Sequence, residues 1–235
     1  METIAENIER ITECMRTAAR RSGRQPEAIR LVAVTKTVEV ERIRRAVVLG
    51  VREIGENYVQ EAAAKLPALA DLPITRHFIG HLQRNKASRA VQLFDTIQTI
   101  DSLPLAISLS RLMAQAALRG GDTRRELEVL LEVNVAGEAS KSGVAPEAAL
   151  SLAEQVASLP SLKLGGLMGL APLGGAPDEA RRAFRRLRAL YDQLPLPHRQ
   201  MLSMGMTGDF EIAIEEGSTM VRIGTGIFGQ RRTPA

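Results

Sequence analysis

The feature that most constrains the fold is a regular alternation of short apolar runs with amphipathic segments. Apolar runs typical of buried strands begin near residues 30, 51, 74, 93, 127, 162, 200 and 219. Segments with helical spacing separate them, and the mean interval of about 27 residues is close to one strand–helix unit. Eight such units in 235 residues predict an α/β fold, a single (β/α)8 TIM-type barrel over residues 1–235.

An extra helix is predicted ahead of the first strand, because Ile4, Ile8, Ile11 and Met15 recur at helical spacing. A doubly wound open sheet is the alternative architecture. The chain has no G-x-G-x-x-G after its first strand, and the even number of units also favours the barrel.

Composition excludes several classes of protein. No apolar segment approaches the roughly 20 residues that span a bilayer, and the Glu-rich start of the chain lacks the apolar centre of a signal peptide. The single cysteine, Cys14, excludes an intramolecular disulfide and suits a reducing compartment. We therefore expect a cytoplasmic protein that makes no contact with membranes.

Basic residues suggest a nucleic-acid partner only weakly. The formal net charge is +4, and five arginines share one face of a predicted helix that ends near Tyr191: Arg181, Arg182, Arg185, Arg186 and Arg188. Apolar residues occupy the opposite face, which is typical of a solvated helix. Aromatic residues, on which bases stack, make up only 3% of the chain. We expect no specific nucleic-acid binding.

Lys36 ends the first apolar run, in the stretch Ile29–Thr37. The carboxyl ends of strands are where α/β barrels carry their functional groups. Taken alone, the lysine has two interpretations: a strand-end side chain that extends into solvent, or a partly desolvated amine able to form a Schiff base with an aldehyde.

Glycine-rich loops follow the seventh and eighth predicted strands, at residues 203–208 and 224–226. Barrels frequently bind phosphate with these two loops. Ser203, Thr207 and Thr225 offer hydroxyl groups, glycine amides can approach an anion closely, and Arg222 carries a fixed charge. An amine for an aldehyde combined with a phosphate cradle is what a pyridoxal phosphate (PLP) site requires.

Other chemistries are less well supported. His77 and His81 are four residues apart but straddle a strand end, so a metal pair is disfavoured and we expect no metal site. Cys14 lies in a predicted amphipathic helix and has no plausible histidine partner. Glu56 and Asp101 could form a carboxylate pair for glycoside chemistry, although nothing else in the chain indicates a sugar site.

The sequence resembles the PLP homeostasis proteins, single-domain relatives of the alanine racemase barrel. The resemblance runs from about Leu31 to Gly229 and rests on ordered segments. These are residues 33–37, 55–61, 77–80 with 82–83 and 85–86, 140–143, 166–168, 202–206 and 217–225. The chain departs from the usual pattern at Val38, His81, Arg84 and Thr207-Gly208.

The resemblance implies a set of cofactor-binding residues. Lys36 would carry PLP covalently as a Schiff base, and Arg222 would lie near the ring nitrogen or the phosphate. Asn57 would line the ring. The remaining residues would surround the phosphate or close the wall of the site: Ser203, Gly224 and Thr225 for the phosphate, Met204 and Gly205 for the wall.

Two functions are compatible with this site. The first is a non-catalytic protein that holds PLP and maintains vitamin B6 and linked amino-acid homeostasis, as a monomer that contacts apo PLP enzymes transiently. The alternative is a PLP enzyme with weak racemase-like activity, which needs a second base opposite Lys36. The only tyrosines, Tyr58 and Tyr191, lie in predicted helices, and an arginine at the ring nitrogen weakens the cofactor's electron sink. Both points favour the first function.

Overall fold

A computed structural model of the protein, which describes residues 3–118, 126–138 and 142–230, contains a closed barrel of parallel strands in the order β1 to β8. The predicted (β/α)8 barrel is confirmed. The strands are β1 (Arg30–Val34), β2 (Glu53–Glu56), β3 (Thr75–Phe78), β4 (Thr96–Ile100), β5 (Leu127–Val133), β6 (Leu162–Gly169), β7 (Met201–Ser203) and β8 (Met220–Ile223).

Helices precede, connect and follow the strands. They are α1 (Ile4–Arg21), α2 (Val40–Val48), α3 (Val59–Lys65), α4 (Ala87–Leu93), α5 (Leu103–Leu118), α6 (Pro146–Ala157), α7 (Pro177–Tyr191), α8 (Phe210–Glu215) and α9 (Thr225–Phe228). Short 3₁₀ turns lie at Pro26–Ala28, Leu66–Leu69, Arg84–Lys86 and Leu196–His198. None of the helices in the described ranges is long and apolar enough to cross a membrane.

The predicted extra helix, α1, begins at a capping box in which the Thr3 side chain accepts from the N–H of Glu6. Its buried face packs against the last strand–helix unit. Asn7 Nδ2 donates to the carbonyl of Ile227 at 3.1 Å, and Arg10 Nη2 donates to that of Gly226 at 3.3 Å. The helix therefore holds α9 in place, directly after β8.

Strand limits differ from the sequence prediction where apolar character and strand pairing do not coincide. The apolar run at residues 51–54 predicts β2, but the strand extends over Glu53–Glu56, because Gly55 and Glu56 accept ladder hydrogen bonds from Thr35 and Ile79. The run starting at Leu93 predicts β4, but Leu93 ends α4 and the strand begins at Thr96. α9 was not predicted.

The apolar core has two layers. A small cluster fills the inside of the barrel and contains Val32, Leu130, Met168, Met201 and Met220. A much larger layer lies between the strands and the helices. Side chains alternate along a strand, so a residue two positions after an inward-facing residue also faces inward. At the carboxyl end of a strand, such a residue lies at the mouth of the barrel.

The arginine-rich helix α7 buries Ala183, Phe184, Leu187 and Tyr191 against the barrel. Its basic face is largely neutralised by ion pairs, among them Arg181 with Glu215 and Glu216 and Arg186 with Glu147. This arrangement matches the solvated helix face that the sequence predicts.

Candidate functional site

Lys36 lies in the turn after β1 and is partly buried. Val32 faces the inside of the barrel, whereas Ala33 belongs to the outer layer. Thr35 also points outward, because its hydroxyl donates to Glu56 Oε1. The two-residue alternation places Lys36 on the inward side, at the mouth.

β8 pairs with β1 and brings the glycine loop of residues 224–226 beside Lys36. Ala33 is in register with Ile223, and a Cβ on Gly224 would lie 3.4 Å from Cβ of Val34. α9 begins at Thr225, whose side chain is exposed, and the first N–H groups of a helix have no partner within it. The start of α9 therefore places backbone N–H groups at the mouth, where they can donate hydrogen bonds to an anion.

The loop after β7 is joined to the same helix. Thr207 Oγ1 accepts from the N–H of Gly226 at 3.3 Å and lies 3.4 Å from Oγ1 of Thr225. Gly205 has φ +97°, and a Cβ there would lie 2.6 Å from Cβ of Ala213, so only glycine fits. The buried side chain of Met204 belongs to the outer apolar layer.

Arg222 is buried inside the barrel beneath the mouth. Its Nη1 donates to Ser203 Oγ at 2.6 Å, and its Nη2 donates to the carbonyl of Gly169 at 3.0 Å. Burial lowers the pKa of Arg222 to about 10, and the charges of Asp209 and Glu132 oppose that decrease. The guanidinium therefore stays protonated at neutral pH.

Ser203 and Arg222 end a chain of hydrogen bonds that crosses the barrel interior. Ser203 Oγ donates to Gln98 Oε1 at 2.6 Å, and Gln98 Nε2 lies 3.0 Å from His77 Nδ1. His77 Nε2 lies 3.0 Å from Glu53 Oε2, and Arg30 Nε donates to Glu53 Oε1 at 2.7 Å. We call the residues Arg30, Glu53, His77, Gln98, Ser203 and Arg222 the interior chain.

The donors and acceptors of the interior chain are mutually consistent. The Gln98 amide can donate only through Nε2, so His77 accepts at Nδ1 and donates from Nε2 to Glu53, an assignment made from the network. Burial acts to raise the pKa of Glu53, but hydrogen bonds from His77 and Arg30 outweigh it and the pKa is lowered. The sequence did not predict the interior chain.

Asn57 follows β2 and is partly buried at the mouth. A Cβ on Gly80 would lie 2.1 Å from the carbonyl oxygen of Asn57, so a glycine after β3 lets the two backbones touch. The buried Oδ1 atom of Asn57 accepts no hydrogen bond from the described part of the chain. The amide thus has unused hydrogen-bonding capacity.

Glu132, near the end of β5, is a second group that the sequence reasoning missed. Its side chain is 6% exposed, and no described residue hydrogen-bonds its Oε2 atom. Burial and the nearby charge of Asp101 raise the pKa of Glu132 to about 7, against the opposing effects of Arg222 and a hydrogen bond from Ser142. Leu130, two residues earlier, faces the barrel interior, and this position could have indicated an inward carboxyl.

Two of the departures from the family pattern line a surface cavity beside the mouth. The cavity has a volume of about 590 Å³ and includes the exposed side chains of His81 and Arg84 together with Asp101 and Ser142. His81 Nδ1 lies 3.5 Å from Asp101 Oδ2. Val38 packs against the outer apolar layer.

Glu56 and Asp101 do not form a carboxylate pair. Glu56 contacts Lys65 and Thr35 on the outside of the barrel, whereas Asp101 contacts His81 and Ser102. Cys14 is a partly buried free thiol in α1. Residues 140 and 141, part of one segment of the family resemblance, lie outside the described residues. Within the described ranges no three His, Cys, Asp or Glu side chains are grouped as metal ligands.

Comparisons with known proteins agree on one family. A family model described as "Alanine racemase, N-terminal domain" matches residues 3–232. A protein from Pseudomonas aeruginosa named "Pyridoxal phosphate homeostasis protein" is 46% identical over 231 residues, which cover 98% of this chain and 97% of the relative. The chain belongs to the PLP homeostasis protein family.

Solved structures with the same fold include other chains of similar length. A chain described as "an unknown protein from Bifidobacterium adolescentis" is 39% identical with a TM-score of 0.86, and the match covers 96% of this chain and 94% of that one. PipY from Synechococcus elongatus, solved with PLP bound, is 34% identical with a TM-score of 0.80, covering 97% and 100%. Both of these solved chains thus share their length and their fold with this chain.

Proposed function

We propose that this protein binds PLP as a Schiff base on Lys36 and holds it without robust turnover, which maintains the cellular supply of the cofactor. The observation that carries the proposal is the position of Lys36, partly buried at the barrel mouth beside the glycine loop that follows β8. The PLP-bound structure of a relative that is 34% identical supports the same ligand.

The residues at the mouth fit this ligand. The buried Oδ1 atom of Asn57 has no hydrogen-bond partner among the described residues. A polar ring bound beside it would donate the hydrogen bond that this buried acceptor lacks. The amine of Lys36 joins the aldehyde carbon through a C=N bond, and one water molecule leaves. This step needs no oxidant or reductant.

Backbone amides at the start of α9 bind the phosphate in this proposal, together with the hydroxyl of Thr225. Gly224 lets the chain approach the anion, and the backbone of Met204 and Gly205 forms the adjacent wall, since the Met204 side chain is buried in the outer apolar layer. Ser203 is engaged with Gln98 and Arg222, so we propose that it acts by orienting the guanidinium.

PLP supplies an electron sink for reactions at amino-acid carbon atoms when its ring nitrogen is protonated. Arg222 is protonated at neutral pH, so it cannot accept a hydrogen bond from a protonated ring nitrogen and stabilise that charge as a carboxylate would. Tyr191 is buried in the outer layer, and Tyr58, at the start of α3, is 58% exposed rather than held in a buried position as a second base. These features support a protein that holds the cofactor without robust turnover. We propose in addition that it releases PLP to apo-enzymes, which it contacts transiently as a cytoplasmic monomer.

Replacement of Lys36 tests the binding mode. We expect Lys36→Ala to abolish the visible absorbance of bound PLP and its trapping on the protein by borohydride, while Lys163→Ala, at an exposed lysine on β6, retains both. Mass spectrometry of the reduced protein should find the label on Lys36. A label retained in Lys36→Ala, on any other lysine, would refute the assignment.

Transfer of the cofactor tests the carrier role. Purified protein loaded with PLP should activate an apo-aminotransferase faster than Lys36→Ala mixed with the same total PLP, and it should show no substantial turnover of amino acids. Fast racemisation or transamination by the loaded protein would contradict this role.

A weak racemase-like activity is the second candidate, and Glu132 is the observation that favours it. In the closed order of eight strands, β5 lies opposite β1, so the buried carboxyl faces the site from the side away from Lys36. A group with a pKa of about 7 can both accept and donate a proton at neutral pH. If this activity exists, exchange of the amino-acid α-proton in D₂O should be detectable by NMR and lost in Glu132→Gln.

A further inference from the structure

A buried cluster of charged residues lies behind Lys36, on the outer side of the strands. Glu56 is fully buried and Lys65 is 8% exposed. Lys65 Nζ lies 2.8 Å from Glu56 Oε1 and 2.9 Å from Glu61 Oε1, and Thr35 Oγ1 donates to Glu56 Oε1 at 2.5 Å. We call Glu56, Glu61 and Lys65 the Lys65 cluster.

The Lys65 cluster binds the backbone on both sides of Lys36. Lys65 Nζ donates to the carbonyl oxygen of Thr35 at 2.7 Å, and the N–H of Thr37 donates to Glu61 Oε1 at 2.5 Å. The residue directly before Lys36 is therefore attached to Lys65 and the residue directly after it to Glu61, two side chains of α3 that contact each other.

The turn that these contacts hold is strained. Thr37 has φ +61°, a left-handed conformation that β-branched residues rarely adopt. Such a conformation costs on the order of 1–3 kcal/mol and persists only where surrounding contacts impose it. Glu61 supplies a contact to the N–H of this same residue.

Stability alone is a poor explanation for the Lys65 cluster. A buried ion pair contributes little net stability compared with apolar residues of similar volume, because both charges lose their hydration. Burial raises the pKa of Glu56, against the effects of Lys65 and Thr35, and its Oε2 atom has no hydrogen-bond partner in the described part of the chain.

We propose that the Lys65 cluster is a positioning device: it clamps the strained turn of residues 35–37 and so aims the amine of Lys36 into the barrel mouth. This inference rests on the proposed role of Lys36 in binding PLP. Lys65 itself stays on the outer side of the strands and takes no part in the covalent link.

Glu61→Ala is the variant that separates positioning from folding. The Glu61 side chain is 28% exposed, and Lys65 keeps Glu56 as a partner when Glu61 is removed, so no uncompensated charge remains in the core. Replacing Lys65 would instead leave the buried Glu56 carboxylate without its cationic partner. The matched control is Glu216→Ala, which removes a carboxylate bonded to Arg181 and Arg185 after α8, at the opposite end of the barrel. We expect Glu61→Ala to weaken PLP binding about tenfold, and Glu216→Ala to leave the affinity unchanged.

A rescue experiment tests the strain directly. Glycine adopts positive φ without strain, so the double variant Glu61→Ala with Thr37→Gly should recover most of the PLP affinity and of the borohydride-trapped label on Lys36. Thr37→Gly alone should bind PLP within about twofold of the parent protein, because its turn is still held by Glu61.

The outcomes distinguish this inference from the proposed function. If the parent protein traps PLP on Lys36 but Glu61→Ala binds it as well as Glu216→Ala does, the positioning role is wrong and the proposed function stands. Failure of Thr37→Gly to restore binding would also refute the role, because it would show that strain at Thr37 is not what Glu61 controls. If the parent protein traps no PLP on Lys36, both proposals are wrong.

Discussion

Ser203 Oγ lies 2.6 Å from Nη1 of Arg222 and also 2.6 Å from Oε1 of Gln98. The hydroxyl accepts from the guanidinium and donates to the amide, so both of its strongest hydrogen-bonding directions are used. Because both contacts are buried, they fix the orientation of Arg222 beneath the barrel mouth. The orientation of the guanidinium of Arg222, on β8, is thus set by one side chain on the adjacent strand β7 and one on β4.

Ser203→Ala should destabilise the protein by about 1–3 kcal/mol, because it leaves Gln98 Oε1 and one guanidinium N–H unpaired inside the barrel. Urea denaturation measures this change. Ser110→Ala is the control, since Ser110 Oγ donates to the carbonyl of Pro160 at 2.6 Å from a buried position on α5. We expect both variants to lose stability but only Ser203→Ala to lose PLP affinity. Equal effects on affinity would contradict a role in orienting Arg222.

Glu132→Gln should change how stability depends on pH. The folded protein holds the Glu132 proton more tightly than the unfolded chain, since the pKa rises from 4.5 to about 7. The free energy of unfolding therefore falls as the pH rises through this window, by at most about 3 kcal/mol. Glutamine cannot ionise, so the variant should equal the parent below pH 4.5 and exceed it by about 1–3 kcal/mol above pH 7.

Urea denaturation at a series of pH values measures the Glu132 effect. Glu128→Gln, on the same strand and in contact with Lys163, provides the control. A stability difference between Glu132→Gln and the parent that stays constant across the pH range would mean that the carboxyl titrates normally.

Gly205→Ala should destabilise the protein by about 2–4 kcal/mol, because a side chain there is strained at φ +97° and meets Ala213 at 2.6 Å. Gly208→Ala, in the same loop, is the matched control: its Cβ would meet no atom within 4 Å and its φ lies outside the left-handed region. Thermal unfolding of the two variants checks the difference. Similar melting temperatures would show that the loop relaxes freely around residue 205.

Thr207→Val should reduce PLP affinity by about fivefold with little change in stability. Valine keeps the shape of threonine but removes the Oγ1 atom that accepts from the N–H of Gly226 and lies beside Thr225 at the start of α9. The expected loss corresponds to about 1 kcal/mol. Thr75→Val, at the first residue of β3 and so at the far end of the barrel, should not alter binding. Titration of PLP followed by absorbance compares the variants.

The alternation of strand and helix signals was sufficient to predict the barrel, and the position of Lys36 after the first strand followed from it. The interior chain was not predictable in the same way, because its members are brought together only by barrel closure. Ser203 and Gln98, for example, are 105 residues apart in sequence. In a sequence, a polar residue within a buried strand only interrupts the apolar run, and the pattern does not show that its side chain points into the barrel.

The Lys65 cluster and Glu132 escaped prediction for a related reason. Lys65 lies near the end of a short amphipathic helix, where a lysine is ordinarily solvated, and only the structure shows it turned back under β1 and β2. Glu56 was considered as a partner for Asp101 because both follow strands. The alternation at the strand end instead turns Glu56 outward.

The interior chain also has a polarity. From Arg222 through Ser203, Gln98 and His77, each hydrogen bond is donated toward Glu53, which also accepts from Arg30 on its other side. A donor at Nδ1 of His77 in place of the present acceptor would therefore change more than one contact. Gln98 would have to turn its amide over and present its NH₂ group to Ser203. Ser203 would then receive hydrogen bonds from both sides and send its own proton elsewhere. A reversal of hydrogen-bond direction in the middle of the barrel would thereby change the contacts of the guanidinium beneath its mouth.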